Sequence, residues 1–164
     1  MRIVCGFILL ALSTVASANL TQVGEGTARW GLFKIYSDAF FTDANLTLKQ
    51  ALADNTPARL ELCYARELSV SDFIKGAQQA LPESLPLELE GAVARLHAAY
   101  QPVNPGDCYH LDFQPERGSA LILNGKTLVQ IDTPGFKAVY FGIWLGQQPL
   151  SESLKRSLIA GLKP

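Results

Sequence analysis

Apolar residues in this chain recur at every second position in some windows and at every third or fourth in others. Residues 58–68, ARLELCYAREL, put Leu60, Leu62 and Tyr64 on one side and Glu61, Cys63 and Ala65 on the other. That alternation predicts a strand with one core face. Residues 107–113 repeat it, with Tyr109, Leu111 and Phe113 against Cys108, His110 and Asp112. Residues 120–123 and 126–131 predict two strands joined by Asn124-Gly125, a pair that accepts the positive φ angles of a tight hairpin. Helical spacing begins after Ser69 and Ser71, either of which can cap a helix, and Asp72 suits the positive end of its dipole. Phe73, Ala77, Ala80 and Leu81 then recur until Pro82 stops the run. A second helix is predicted over residues 86–100, with Leu89, Val93, Leu96 and Tyr100 as its stripe. Pro149 and Ser151 open a last helix carrying Leu154, Leu158 and Leu162.

Two apolar stretches lack a clean phase. Residues 24–41, GEGTARWGLFKIYSDAFF, have Trp30, Leu32, Lys34 and Tyr36 on one phase and Arg29, Gly31, Phe33 and Ile35 on the other. Both phases are largely apolar, so the run reads as a strand covered on both faces, turning near Ser37-Asp38. Gly24-x-Gly26 reads as a flexible turn ahead of it. Residues 136–145, FKAVYFGIWL, are aromatic and β-branched with Gly142 inside, which favours a strand over a buried helix. Strands, two grouped helices, more strands and a final helix predict an α+β domain, an antiparallel sheet covered by helices. No repeat or linker divides it.

The 164 residues suffice for one domain with a hydrophobic core. Lys and Arg number 14 against 15 Asp and Glu, with no basic cluster along the sequence. This balance gives no reason to expect nucleic acid or an anionic membrane surface as a partner. Met1-Arg2, the apolar residues 3–12 and Ala16-Ser17-Ala18 form a secretory leader, with a domain at 19–164. The apolar run is short for a membrane span. The expected location is therefore periplasmic or secreted. Cys63 and Cys108 remain after cleavage, and the sequence leaves open whether they pair or stay as two buried thiols.

Candidate chemistry is sparse. His97 and His110 have no second ligand at zinc spacing, so no metal or other cofactor is expected. There is no G-x-S-x-G elbow and no phosphate loop. Glu88 and Glu90 read as solvated. Arg29 and Tyr36 are the candidate ligand-binding residues, because a guanidinium among apolar neighbours grips a carboxylate or phenolate and a hydroxyl can assist. The competing reading pairs Arg29 with Glu25 or Glu67 at a sheet edge and leaves Tyr36 in the core.

Four segments together resemble the bacterial chalcone isomerase-like family: GEGTARWGLFKIYSDAFF, LELCYARELSVSDFIKG, VNPGDCYHLDFQPERGSALILNG and FKAVYFGIWLGQQPLSESLKRSLIAGL. The resemblance implies an open-faced β-sandwich. It implies either cyclisation of chalcones or non-catalytic binding of fatty acids, with a strand arginine meeting the ligand's anionic oxygen. Arg29 matches that arginine, and Tyr36 falls where the enzymes carry a threonine. The enzymes' helical tyrosine and asparagine have no counterpart in FIKGAQQALPES. The expectation is an exported, non-enzymatic domain that binds a small amphipathic carboxylate such as a fatty acid, walled by Phe33, Phe73 and Trp144. The alternatives are an intramolecular lyase acting on a phenol and an envelope module that docks a protein partner.

Overall fold

The computed structural model describes residues 20–164. The leader expected at residues 1–18 lies outside them. Among the described residues, β1 (Thr21–Trp30), β2 (Phe33–Thr42), β3 (Ala58–Tyr64), β4 (Cys108–Gln114), β5 (Gly118–Leu123) and β6 (Lys126–Ile131) form one antiparallel sheet in chain order. Between and after them come α1 (Leu48–Ala51), α2 (Val70–Gln78), α3 (Leu87–Ala99), α4 (Phe136–Leu145) and α5 (Glu152–Leu158). The α+β expectation holds, and the sheet is covered on one face.

The alternation in β3 and β4 decides which face. Leu60, Leu62 and Tyr64, with Tyr109, Leu111 and Phe113, are buried beneath the helices. Their neighbours pair in register on the open face: Arg59 with Asp112, Glu61 with His110, and Cys63 with Cys108. The first pair is an ion pair at 2.9 Å and the second places His110 Nε2 3.1 Å from Glu61. The two cysteines are joined in a disulfide. Asn124 (φ 49°) and Gly125 (φ 83°) make the expected hairpin turn. Ser69 and Asp72 form a reciprocal capping box that starts α2.

Two expectations are corrected. Residues 136–145 form the helix α4, not a strand. Phe136, Lys137, Tyr140, Phe141, Ile143 and Leu145 are all buried in it. A run that is apolar on every side carries no phase, so propensity favoured the wrong state. The turn at Pro134-Gly135 lays the run over the covered face instead of adding it beside β6.

The stretch at 24–41 is also not one strand. It turns at Gly31-Leu32, where Gly31 has φ +59°, and Trp30 pairs with Phe33 across the loop. Its tip is exposed, not covered on both faces. Nor are Gly24 and Gly26 a flexible turn. Both lie in β1 under α5, where a Cβ at Gly24 would strike the Leu158 carbonyl and one at Gly26 the Leu154 side chain. Their missing side chains let a helix rest directly on the strand.

Candidate ligand-binding cavity

Side chains from both layers leave a space of about 90 Å³ between sheet and helices. Leu62 and Tyr64 of β3, Tyr109 and Leu111 of β4, and Leu121 of β5 make its floor. Phe73, Gly76 and Ala77 of α2, Tyr140, Ile143 and Trp144 of α4, and Tyr100 after α3 make its roof. Asp72 and Leu150, both exposed, mark its mouth. A broader, polar depression of about 380 Å³ lies over β1–β3, with Glu25, Thr27, Ser37 and Glu61 in its lining. It is open to water, so the aromatic space is the better candidate for an organic ligand.

The chain has five tyrosines, and they gather here. Tyr64 lies edge-on to Tyr36, Phe73 and Tyr109, with ring centres 5.6, 5.4 and 6.1 Å away. Phe73 stacks on Tyr100 at 5.0 Å. These offset and edge-on contacts suit the charge distribution of aromatic rings. The hydroxyls are mostly engaged. Tyr100 and Tyr140 share a hydrogen bond of 2.7 Å. Tyr109 donates to the Gln101 carbonyl and accepts from the Gln101 amide. Trp144 Nε1 donates to the Tyr36 hydroxyl at 3.0 Å. Tyr64 makes no such bond among the described residues.

Burial raises the pKa of all five phenols. They therefore stay protonated near neutral pH, offering hydrogen-bond donors and no base. The residues lining the cavity include no cation, and the one carboxylate, Asp72, is held low by its capping bonds to Ser69.

The sequence expectations fare unevenly. Tyr36 adjoins the cavity through its hydrogen bond from Trp144 and its edge-on ring contact with Tyr64. Phe73 and Trp144 are in the wall as expected. Phe33 is two-thirds exposed on the β1–β2 tip. Arg29 is exposed near the same tip and is not among the lining residues, so it does not look into a hollow. A strand irregularity between Ala28 and Arg29 ends the alternation that aims Gly24, Gly26 and Ala28 at the helices. The pairing with Glu25 or Glu67 is absent as well; Glu25 instead accepts from Gln22 at 2.8 Å.

Sequence reasoning missed Asp38. It is 2% exposed on β2, two residues from Tyr36, with neither carboxylate oxygen hydrogen-bonded. Burial lifts its pKa to about 7. The signal was Tyr36, Asp38, Phe40 and Thr42 falling on one phase, once the turn sits at Gly31. The tyrosine cluster was missed for a similar reason: Tyr140 lay in the run misread as a strand.

Sheet, helices and chamber define an open-faced α+β sandwich with a tyrosine-lined cavity. The chain belongs to the chalcone isomerase-like family, whose pattern it matches over residues 4–160. Among solved structures it is similar in fold to a fatty-acid binding protein of Arabidopsis thaliana. That likeness has a TM-score of 0.66, covers 89% of each chain and runs at 9% identity. No curated protein matches the sequence.

Proposed function

We propose that this protein is an exported, non-enzymatic domain that holds a small amphipathic molecule, a fatty acid being the leading candidate. The observation that carries the reading is the chamber itself: apolar walls, four neutral phenols in its lining with Tyr36 adjoining, and a Tyr64 hydroxyl that makes no hydrogen bond among the described residues. Such a site takes an apolar body and hydrogen-bonds one polar atom. The similar fold of a fatty-acid binding protein supports the ligand class. The disulfide supports an oxidising compartment, as the leader at 1–18 implies. Lyase chemistry on a phenolic substrate is less well served, because a developing anion is best held by a cation together with donors, and the residues lining the chamber include no cation.

At about 90 Å³ the space is below the ~150 Å³ of an engineered cavity that takes up benzene. Part of a chain fits the observed state, and a longer one enters as the roof gives. The thin side of the roof is α2, where Ala77 is the buried residue and Gly76 presents no side chain.

Organic extraction of the purified protein followed by mass spectrometry is expected to release a long-chain acid. Replacing Tyr64 with Phe keeps the ring and removes the free hydroxyl. It is expected to weaken retention roughly tenfold with the fold unchanged. A protein that emerges empty and ignores added fatty acids would sink the proposal.

A further inference from the structure

The feature that the cavity does not explain is the tip of the β1–β2 hairpin. Trp30, Leu32 and Phe33 are 76%, 93% and 67% exposed there. Large apolar side chains grouped on one turn gain nothing from water, and such groups mark contact sites. Arg29 and Lys34 sit opposite one another at the base of the turn, both exposed. A third cation comes from elsewhere in the chain. The Ala65 amide donates to the Ile35 carbonyl at 2.8 Å. That bond brings the neighbouring Arg66 alongside, its guanidinium carbon 6.0 Å from the centre of the Phe33 ring. The nearby carboxylates are Glu67, exposed beside Arg66, and Asp72, whose Oδ2 accepts both Ser69 bonds that cap α2. So a chain of net charge −1 gathers cations around one apolar point.

We infer that this tip docks the protein on an anionic lipid bilayer. Trp30, Leu32 and Phe33 enter the headgroup zone, and Arg29, Lys34 and Arg66 meet lipid phosphates. Indole rings favour the membrane–water boundary. Basic side chains close to an anionic leaflet are attracted to it. The tip is convex, which suits a soft, flat surface that has no groove to match. Tyr36, three residues beyond Phe33 on β2, bonds to Trp144 in the chamber roof, so docking also brings the chamber toward the lipid. The inference stands whatever the chamber holds.

The chain's two tryptophans make the test site-specific. Trp30 is largely exposed and Trp144 is part-buried in the chamber roof. Adding vesicles of phosphatidylglycerol and phosphatidylcholine is expected to shift the emission to the blue, and Trp30→Phe should abolish that shift. Replacing Leu32 and Phe33 together with Ser should weaken vesicle partition at least about tenfold. Each of Arg29→Gln, Lys34→Gln and Arg66→Gln should weaken it roughly fivefold on anionic vesicles only. These residues are exposed, so the variants should unfold at the parent temperature, and all share its N-terminus. No shift, a shift that persists in Trp30→Phe, or equal binding to pure phosphatidylcholine overturns the inference. The first of these outcomes would leave the tip to a protein partner.

Discussion

Replacing Lys137 with Ala is expected to lower the unfolding free energy by about 3 kcal/mol, read as a shifted urea midpoint at unchanged slope. Lys137 lies in the first turn of α4 and is 1% exposed. Its ammonium donates to the carbonyls of Ala53 and Thr56, at 2.8 and 2.6 Å, and sits 4.4 Å over the Phe113 ring. The link fastens the loop between α1 and β3 to the helix that roofs the chamber, and Asp54 adds a bond from the Gly135 amide at 2.7 Å. Burial pulls the lysine's pKa down to about 8, so it is still mostly charged at neutral pH. Truncation removes both charge-assisted bonds, strands two carbonyls and opens the space of the stem. Relief of the desolvation cost offsets part of this, which is why the expected loss stays below a simple sum of bonds. Lys137→Met keeps the stem and should lose about half as much. A loss below about 1 kcal/mol for the alanine variant would show that water replaces the ammonium at little cost.

The sign of the pH effect follows from the direction of the shift. The folded pKa lies below the unfolded one of about 10.4. Between about 8 and 10 the unfolded chain therefore binds the extra proton, and this group's contribution to stability rises with pH. The trend should vanish in Lys137→Met.

Much of the architecture was legible because period-two alternation and capping signals are local. β3 and β4 could be phased from Leu60, Leu62, Tyr109 and Leu111 alone, and the Ser69–Asp72 box marks the start of α2 within a residue. What was not legible depends on partners far away in sequence. The run at 136–145 is apolar on every side, so only the completed sheet decides that it caps a face. Arg29 had an apolar neighbourhood in sequence, but the Gly31 turn folds that neighbourhood out into water. No basic cluster exists along the chain, yet pairing of β2 with the end of β3 sets Arg66 against Phe33, on the tip that also carries Arg29 and Lys34. The chamber has the same origin. Tyr36, Tyr64, Tyr100, Tyr109 and Tyr140 come from separate elements, and only the topology brings their rings together.

Asp38 is expected to make the protein less stable at pH 8 than at pH 4, and Asp38→Asn should remove that difference. The carboxylate is buried on the helix-covered face of β2, near Gly26 and the α5 residue Leu154, with both oxygens unpartnered. Burial favours the neutral acid and raises the pKa from 3.8 to about 7. Below about pH 4 the group is protonated in both states and costs nothing. From there to about pH 7 the unfolded chain loses the proton while the folded one keeps it, so stability falls by about 1.4 kcal/mol per pH unit. Above pH 7 the penalty is constant at roughly 4 kcal/mol. Other groups add slopes of their own. Asp72 and Asp107 are held low by hydrogen bonds and act below the usual carboxylate range. His97, lowered by burial, gives stability that is lost as pH falls through its range. Subtracting the Asp38→Asn curve from the parent curve cancels these and leaves the carboxylate alone. The buried amide has its own unmet hydrogen bonds, so the variant should gain only about 2 kcal/mol at pH 8, a melting point higher by roughly 4–8 °C. Parallel curves between pH 4 and 8 would mean that Asp38 is ionised throughout, with water or an unseen cation reaching a carboxylate that the packing encloses.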